Sequence, residues 1–328
     1  MLLEKNLDIT IKRITPEIEE SRVEKEKGEF DPELSVSLNR KDTTTPLNSR
    51  SSLAAGGAAN STSKTLTLDS KITGKTIYGT EYEVGFDNSE TKSTFNSFDP
   101  EYDAFAGIVI TQPLLKNYGS DNNLFQIKTA EKNREIAHYE FKSLVIDKIV
   151  EFQMSYWDLV LAIENLKVNE ESLRLAESLF DRNRKKLNAG VISPLEVTQA
   201  EAGAASRKEG VIIGKRDVEN KKNGLKRFIS ADLFALRGID IIPTNEPPTR
   251  VVTIDLNQSI ESALKNRPEY LKAKIDIDKK DIKIKYDRNQ LFPRIDIEAS
   301  YGFNGLGESI GDSVEDLTNN VEWLVGVA

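Results

Sequence analysis

The sequence predicts a mixed α-helical and β-strand fold, with one long helical hairpin between two copies of a helix-and-strand unit. The first observation is a repeat. A Lys-Asn pair ending at Asn6 precedes a charged helical stretch and a proline-bounded strand at Pro32, and the same order recurs from Asn266 to Pro293. The second observation is an apolar pattern of helical period over residues 120–189, without proline or glycine. A repeat of this length describes architecture, so it is interpreted before any single motif.

The composition argues against a thick globular core. Of the 328 residues, 38% are hydrophobic and 30% are charged, a mixture typical of long solvated helices or thin layers. The net charge of −8 gives no electrostatic reason to expect nucleic acid as a partner. The absence of cysteine excludes disulfides, thiolate metal sites and cysteine nucleophiles.

The first 119 residues are predicted to form one helix followed by strands. Residues 2–28 have helical spacing and are closed by Gly28 and Pro32. Residues 41–63 are rich in Thr, Ser, Ala, Gly and Asn, which predicts a flexible loop between strands. Residues 102–112 form another predicted strand before the long helix begins.

The clearest strand pattern covers residues 76–87. Tyr78, Tyr82 and Phe86 alternate with polar and acidic residues, so they are predicted to lie on one face of a half-buried strand.

Residues 120–189 are predicted to form one helix. At ~1.5 Å per residue, about seventy residues would span roughly 105 Å. The narrow apolar seam is typical of coiled-coil packing. Its residues advance mostly in steps of three and four: Phe141, Val145, Ile149, Phe152, Tyr156, Leu159, Ile163, Leu166, Leu173, Ala176, Phe180 and Leu187.

A tight helical turn is predicted at residues 187–194. Gly190 can adopt the left-handed conformation that ends a helix, and Ser193-Pro194 with Glu196 has the pattern that begins one. The returning helix carries an Ala- and Gly-rich stretch, residues 200–205, which predicts close approach of the two helices. An irregular segment, 231–252, and one further helix, 253–290, are expected to lead into the repeated strand.

The turn pattern, Leu187-x-x-Gly190-x-x-Ser193-Pro194-Leu195-Glu196-Val197-x-x-Ala200, resembles that of the outer-membrane efflux protein family, also called TolC-like. Five further signatures of that family follow the same order along the chain: Asn6-Leu7-Asp8-Ile9, Gly28-x-Phe30-Asp31-Pro32-x-Leu34, Gly107 through Leu115, Asn266-Arg267-Pro268-Glu269, and Trp323-Leu324-Val325-Gly326-Val327. The resemblance covers essentially the whole chain. The second long hairpin of the family, with its gating acidic residues, is absent, so no gate can be assigned.

The resemblance implies mixed α and transmembrane β structure. Each chain of a homotrimer would contribute four strands to a shared β-barrel in the outer membrane, and helices to a periplasmic tunnel. Elementary physics agrees, because a few strands cannot close a barrel and open strand edges are not tolerated in lipid. Tyr78, Tyr82 and Phe86 are then candidates for lipid-facing positions.

The predicted function is a passive export conduit of a tripartite efflux or type I secretion system, with a periplasmic adaptor and an inner-membrane pump as partners. The predicted adaptor contact is the helical turn, at the end of the helix far from the barrel: Leu187, Asn188, Gly190, Val191, Ser193 and Pro194. The alternative is a periplasmic coiled-coil adaptor or scaffold. We expect the chain to be truncated at both ends, with any export signal lying outside it.

Four segments follow from this interpretation. Residues 1–119 would contain the first helix and barrel strands with an extracellular loop, and residues 120–230 the periplasmic hairpin. Residues 231–252 would be an equatorial linker, and residues 253–328 the incomplete second repeat.

No cofactor, metal site or catalytic residue is predicted. His138 is the only histidine and cannot alone form a metal site or a catalytic triad. Gly305-Leu306-Gly307 lacks the third glycine and the helix of a phosphate-binding loop, so a loop tip is expected. The aspartates of residues 276–287 are interspersed with lysines, which favours a solvated, ion-paired helix face.

Overall fold

A computed structural model describes residues 6–94, 99–229, 236–245 and 254–327. The chain forms two compact units. The helical unit comprises Met1–Ile18 and Glu135–Lys274, and the sheet unit comprises Glu19–Arg134 and Ile275–Ala328. The elements run in this order: α1 (Leu7–Lys27), β1 (Glu33–Pro46), α2 (Ser49–Ala54), β2 (Asn60–Lys75), β3 (Glu81–Ser93), β4 (Glu101–Pro113), α3 (Ser120–Asn123), α4 (Phe125–Asn188), α5 (Pro194–Ile229), α6 (Leu256–Asn266), α7 (Pro268–Gln290), β5 (Asp296–Gly307), α8 (Ile310–Asp316) and β6 (Asn320–Val327).

The core of the helical unit lies between the two arms of the hairpin, α4 and α5. Leu159, Ala162, Val218 and Leu225 are buried there, and Leu159 is fully excluded from solvent. Phe152 and Phe228 pack edge to face beside this cluster, with ring centroids 6.1 Å apart. This arrangement confirms the long antiparallel hairpin, and the twelve predicted seam residues of α4 are all buried or half-buried.

The predicted close approach at the Ala-rich stretch stays a prediction, because Ala200 and Ala204 are half-buried there while the residues between them are exposed. Ala202, Gly203 and Ala205 are exposed, and nothing lies within 4 Å of a Cβ placed on Gly203. The arms approach closely at Gly214, where a Cβ would lie 3.2 Å from Leu166 Cδ1.

An ion-paired carboxylate joins three helices of this unit. Glu140 of α4 accepts hydrogen bonds from Lys272 Nζ of α7 (2.7 Å) and Lys12 Nζ of α1 (2.9 Å). These two ammonium groups hold the pKa of Glu140 below its ordinary value of 4.5, Lys272 having the larger effect.

The single helix predicted over 253–290 is also wrong. The helix ends at Asn266, Arg267 adopts an extended conformation, and a new helix begins at Pro268. Proline lacks a backbone N–H and is favoured at the first helical position, so it separates α6 from α7. Of the predicted linker, only residues 236–245 lie within the described part of the chain.

The sheet unit contains one six-stranded antiparallel sheet in the order β1-β2-β3-β4-β5-β6. Every strand pairs with its neighbour in sequence, and the long helices intervene between β4 and β5. The resemblance implied four strands per chain, so this number is corrected to six for the described residues. The sheet is open, with β1 and β6 at its edges.

Two boundaries differ from the sequence prediction. The loop over 41–63 is shorter than predicted, because Lys41–Pro46 and Asn60–Ser63 remain paired in the β1–β2 ladder. The strand at 76–87 begins only at Glu81. Residues 76–80 form the turn from β2 to β3, closed by the Thr76 N–H donating to the Thr80 carbonyl oxygen (2.8 Å).

Candidate membrane-facing sheet and helical turn

One face of the sheet is apolar across all six strands. Residues opposite each other in register share a face, so the pairings define rows that cross the sheet. The central row is Leu34, Ile72, Val84, Ile108, Tyr301 and Trp323. The rows on either side are Val36, Ser70, Phe86, Ala106, Phe303 and Val321, and Gly74, Tyr82, Ile110, Ala299 and Val325.

These three rows, here called the apolar face, contain no charged residue. The six side chains of the central row are exposed to solvent in the single chain, from 37% at Ile108 to 72% at Trp323. An exposed apolar surface of this extent marks a protein or membrane contact. Apolar and polar residues alternate along most of β1, β2, β3 and β5, which is typical of a sheet with lipid on one side. Strands β4 and β6 also carry Phe105, Val109 and Leu324 on the opposite face.

The opposite face, here called the polar face, is acidic. It contains Gly85, Gly107 and Gly302 in one row, with Lys71 and Glu322 beside them. Lys71 forms an ion pair with Glu83 (3.2 Å). The acidic residues of this face outnumber its lysines, Lys41, Lys71 and Lys75, and are Glu33, Asp69, Glu81, Glu83, Asp87, Glu101, Asp103, Asp296, Glu298 and Glu322.

The apolar face ends at a layer of polar residues, at the ends of the strands that lie away from the α1–β1 junction. Helix α8 lies on the strands there, so that Asn88 and Ser313 are buried, and the Asn88 side-chain amide donates to Ser313 Oγ (3.4 Å). A Cβ on Gly305 would overlap the Ser313 carbonyl oxygen, so glycine allows this contact. The predicted loop tip at Gly305-Leu306-Gly307 is therefore the end of β5, covered by α8.

The helical turn between α4 and α5 is ended by a complete Schellman motif. Gly190 has φ +76°, its N–H donates to the Leu187 carbonyl oxygen (2.8 Å), and the Val191 N–H donates to that of Lys186 (2.9 Å). These are the two hydrogen bonds that define the motif.

The following helix begins with half of a capping box. The Ser193 backbone N–H and Oγ both donate to Glu196 Oε1, at 3.5 and 3.4 Å, which holds the start of α5 in place. Of the six predicted turn residues, Leu187 is half-buried and the other five are exposed, Val191 to 70%.

The sequence reading missed a second apolar stripe on α4. It lies outside the seam with α5 and advances mainly in steps of four and seven, the spacing of a helix–helix contact. Its residues are exposed in the single chain: Val150, Met154, Trp157, Leu161, Val168, Leu175 and Leu179. Counting a second heptad set along α4 would have revealed it.

The three predicted strand residues do not share one environment. Tyr82 and Phe86 lie on the apolar face of β3, both half-buried, with Tyr82 opposite Gly74. Tyr78 lies in the turn before β3, so its strand assignment is wrong. The alternation extends through the turn in sequence, but Gly79, at φ +91°, interrupts the extended backbone.

The remaining candidates are His138 and the acidic residues. His138 is exposed on α4. Within the described part of the chain, no group of His, Asp and Glu is arranged to hold a metal ion. No helix of that same part is both long and apolar enough to cross a membrane.

Residues 79–230 match the family model described as outer membrane efflux protein. Over these residues the match confirms the resemblance seen in the sequence. No curated protein matches the chain in sequence.

Solved structures show the same fold over the whole chain. It aligns with the CmeC outer membrane channel of Campylobacter jejuni at a TM-score of 0.62 and 16% identity, covering 59% of that protein. The alignment with the outer-membrane channel OprN has a TM-score of 0.66 and 15% identity and covers 61%. That with the outer membrane protein VceC of Vibrio cholerae has 0.60 and 13% and covers 65%. The chain thus spans less than two thirds of the length of each of these proteins.

Proposed function

We propose that the chain is part of an outer-membrane channel subunit, a passive conduit for export by a tripartite efflux or type I secretion system. The observation that carries the proposal is the sheet with one continuous apolar face and one acidic polar face. Lipid would cover the first and water in the channel the second. The energy for transport would come from a pump in the inner membrane.

The subunit would act as a homotrimer. A six-stranded sheet with two free edges does not enclose a channel, and copies must pool their strands. The second apolar stripe of α4 supports the same assembly, because exposed residues at heptad spacing fit against a neighbouring helix. The helical unit would then line a tunnel in the periplasm.

The channel function is tested by fractionation and electrophoresis of the complete protein. We expect it in the outer-membrane fraction, as a trimer in mild detergent that dissociates into monomers on heating. Reconstitution into planar bilayers should give discrete conductance steps. A soluble monomer in the periplasm would overturn the proposal and favour the alternative, a coiled-coil adaptor or scaffold.

The turn at Leu187–Pro194 would contact a periplasmic adaptor. Its exposed Val191 and its rigid capped backbone make a small, fixed docking surface. A photo-crosslinking amino acid at Val191 should capture a co-expressed adaptor, whereas the same group at Ser178, exposed on α4, should not. Capture at Ser178 but not at Val191 would contradict this assignment.

A further inference from the structure

One aromatic ring lies on the polar face of the sheet. Among the described strand residues of that face, Phe105 of β4 is the one aromatic side chain. Its direct neighbours across the sheet are polar, Asp87 of β3 and Asn304 of β5. Side chains of a strand usually stand away from the sheet. A phenylalanine in that orientation would project from the wall that the polar face is proposed to form.

The Phe105 ring lies down on the backbone of two glycines instead. A Cβ placed on Gly107 would lie 2.5 Å from Phe105 Cζ, and one placed on Gly302 would lie 2.6 Å from Cε2 of the same ring. Carbon atoms in contact are about 3.5–4.0 Å apart, so the end of the ring occupies the space that side chains at these two positions would need. Gly302 is accordingly buried, although the sheet is open on this face.

A third glycine of the same row has no such neighbour. Gly85 lies directly opposite Gly107 on one side, as Gly302 does on the other. A Cβ on Gly85 would meet Lys71 Cβ at 3.7 Å, which is an ordinary contact. A general need of this row for glycine, such as curvature of the sheet, would apply to all three positions alike. Contact with the Phe105 ring distinguishes Gly107 and Gly302 from Gly85.

We propose that Gly107 and Gly302 keep the Phe105 ring against the channel wall, and that the orientation of this ring sets the size of solute that can pass at its level. This inference rests on the proposed channel, in which the polar face borders water. A trimer would carry three such rings at one level. Raised from the glycines, the three rings would point toward the channel axis and narrow the passage.

Sizing with neutral polymers tests this inference on the complete protein in planar bilayers. Polyethylene glycols of graded length are added on the outer side of the proposed channel, and the largest polymer that enters and lowers the conductance is recorded. Gly302→Ala should raise the ring and exclude the largest polymers that enter the wild type. Phe105→Ala should admit polymers at least as large as the wild type does. The double variant should behave as Phe105→Ala alone, because the added methyl group no longer meets a ring.

Gly85→Ala is the matched control and should keep the size limit of the wild type. Gly107→Ala is a second test variant, because its methyl group would meet the same ring from β4. An unchanged limit in both Gly302→Ala and Gly107→Ala, or an equal loss in Gly85→Ala, would overturn the inference.

The double variant also separates the ring from the backbone. A Cβ on Gly302 would lie 3.1 Å from the Ala106 carbonyl oxygen, and a loss that persists without the ring would arise from that contact and contradict the inference. If Gly302→Ala gives no trimer, we expect the added Phe105→Ala to restore it, and no restoration would likewise contradict the inference. A wild-type protein that gives no conductance would instead refute the proposed function.

Discussion

Replacing Ile108 with lysine should destabilise the membrane-inserted protein, whereas the same replacement at the next residue, Val109, should not. Ile108 lies in the central apolar row between Val84 and Tyr301, and Val109 lies on the polar face opposite Glu83 and Ser300. A single step along the strand moves the new charge from one face to the other.

The size of the effect follows from the depth of Ile108. Two further rows lie on each side of it, toward the Gln112–Ile297 pair and toward the polar layer at Ala104. At ~3.4 Å per residue, each end is roughly 14 Å away along the strand, so in the proposed barrel Ile108 would lie near the middle of the bilayer. A lysine there would cost about 2–4 kcal/mol per copy, and the three copies of the proposed trimer would bear the cost together. At Val109 the ammonium group is solvated and faces Glu83, so a change within about 0.5 kcal/mol is expected.

The assay is urea unfolding of both variants in lipid vesicles, together with the yield of heat-modifiable trimer. Ile108→Lys should lower the unfolding midpoint and the trimer yield, and Val109→Lys should match the wild type. Equal destabilisation by the two variants, or a larger effect at Val109, would refute the assignment of lipid to the apolar face.

Four other predictions concern the helices and the polar face. Leu159→Ala should lower the free energy of urea unfolding, monitored by circular dichroism, by about 2–5 kcal/mol, because Leu159 is fully buried. Leu161→Ala, at a 60% exposed position, should cost far less in the monomer. Similar costs for the two variants would contradict the packing. Gly190→Ala should lower the same unfolding free energy by about 1–2 kcal/mol, because alanine is strained at φ +76°, and an unchanged value would show that the turn has another geometry. Since the pKa of Glu140 is lowered in the folded protein, its ion pairs should stabilise the fold at neutral pH by under about 1 kcal/mol each. This stabilisation should be lost as the pH falls through that lowered pKa. The unfolding free energy of Glu140→Gln should therefore be below that of the wild type at pH 7 and equal to it in acid. A salt gradient across a bilayer should give a reversal potential that indicates cation preference, because the polar face is acidic. Replacing the carboxylates of that face with amides should reduce the preference. An anion preference in the wild type would contradict the proposal that the polar face lines the channel.

The helical hairpin could be predicted from sequence because its determinants are local. Gly190, Ser193 and Pro194 occupy positions whose backbone requirements are set by their immediate neighbours, and the structure shows the expected motif. The seam of α4 was likewise predictable, because its apolar residues recur with helical period. The second stripe was not predicted because polar residues separate its apolar ones. It can be recognised as an exposed surface only once the seam with α5 is known to be buried.

The sheet was less predictable, because strand number and register depend on pairing between distant residues. Alternation identified the strand around Tyr82 and Phe86, yet it could not show that β1 and β2 form a full ladder of their own. The turn at Tyr78 and the Thr-rich ends of the loop were also misassigned. In each case the composition allowed both a loop and a strand, and hydrogen bonding to a neighbouring strand decided between them.

The pairing of β4 with β5 has a consequence for how the protein is made. Strands β1 to β4 follow one another closely along the chain and can pair as soon as they have been synthesised, since local contacts form early. Strand β5 reaches β4 only after the whole hairpin has been delivered, because Pro113 and its partner Asp296 are separated by α3 to α7. Until then β4 carries a free edge, which is a site for pairing with the wrong chain. We therefore expect periplasmic chaperones to matter most for this protein in the interval between the synthesis of β4 and that of β5.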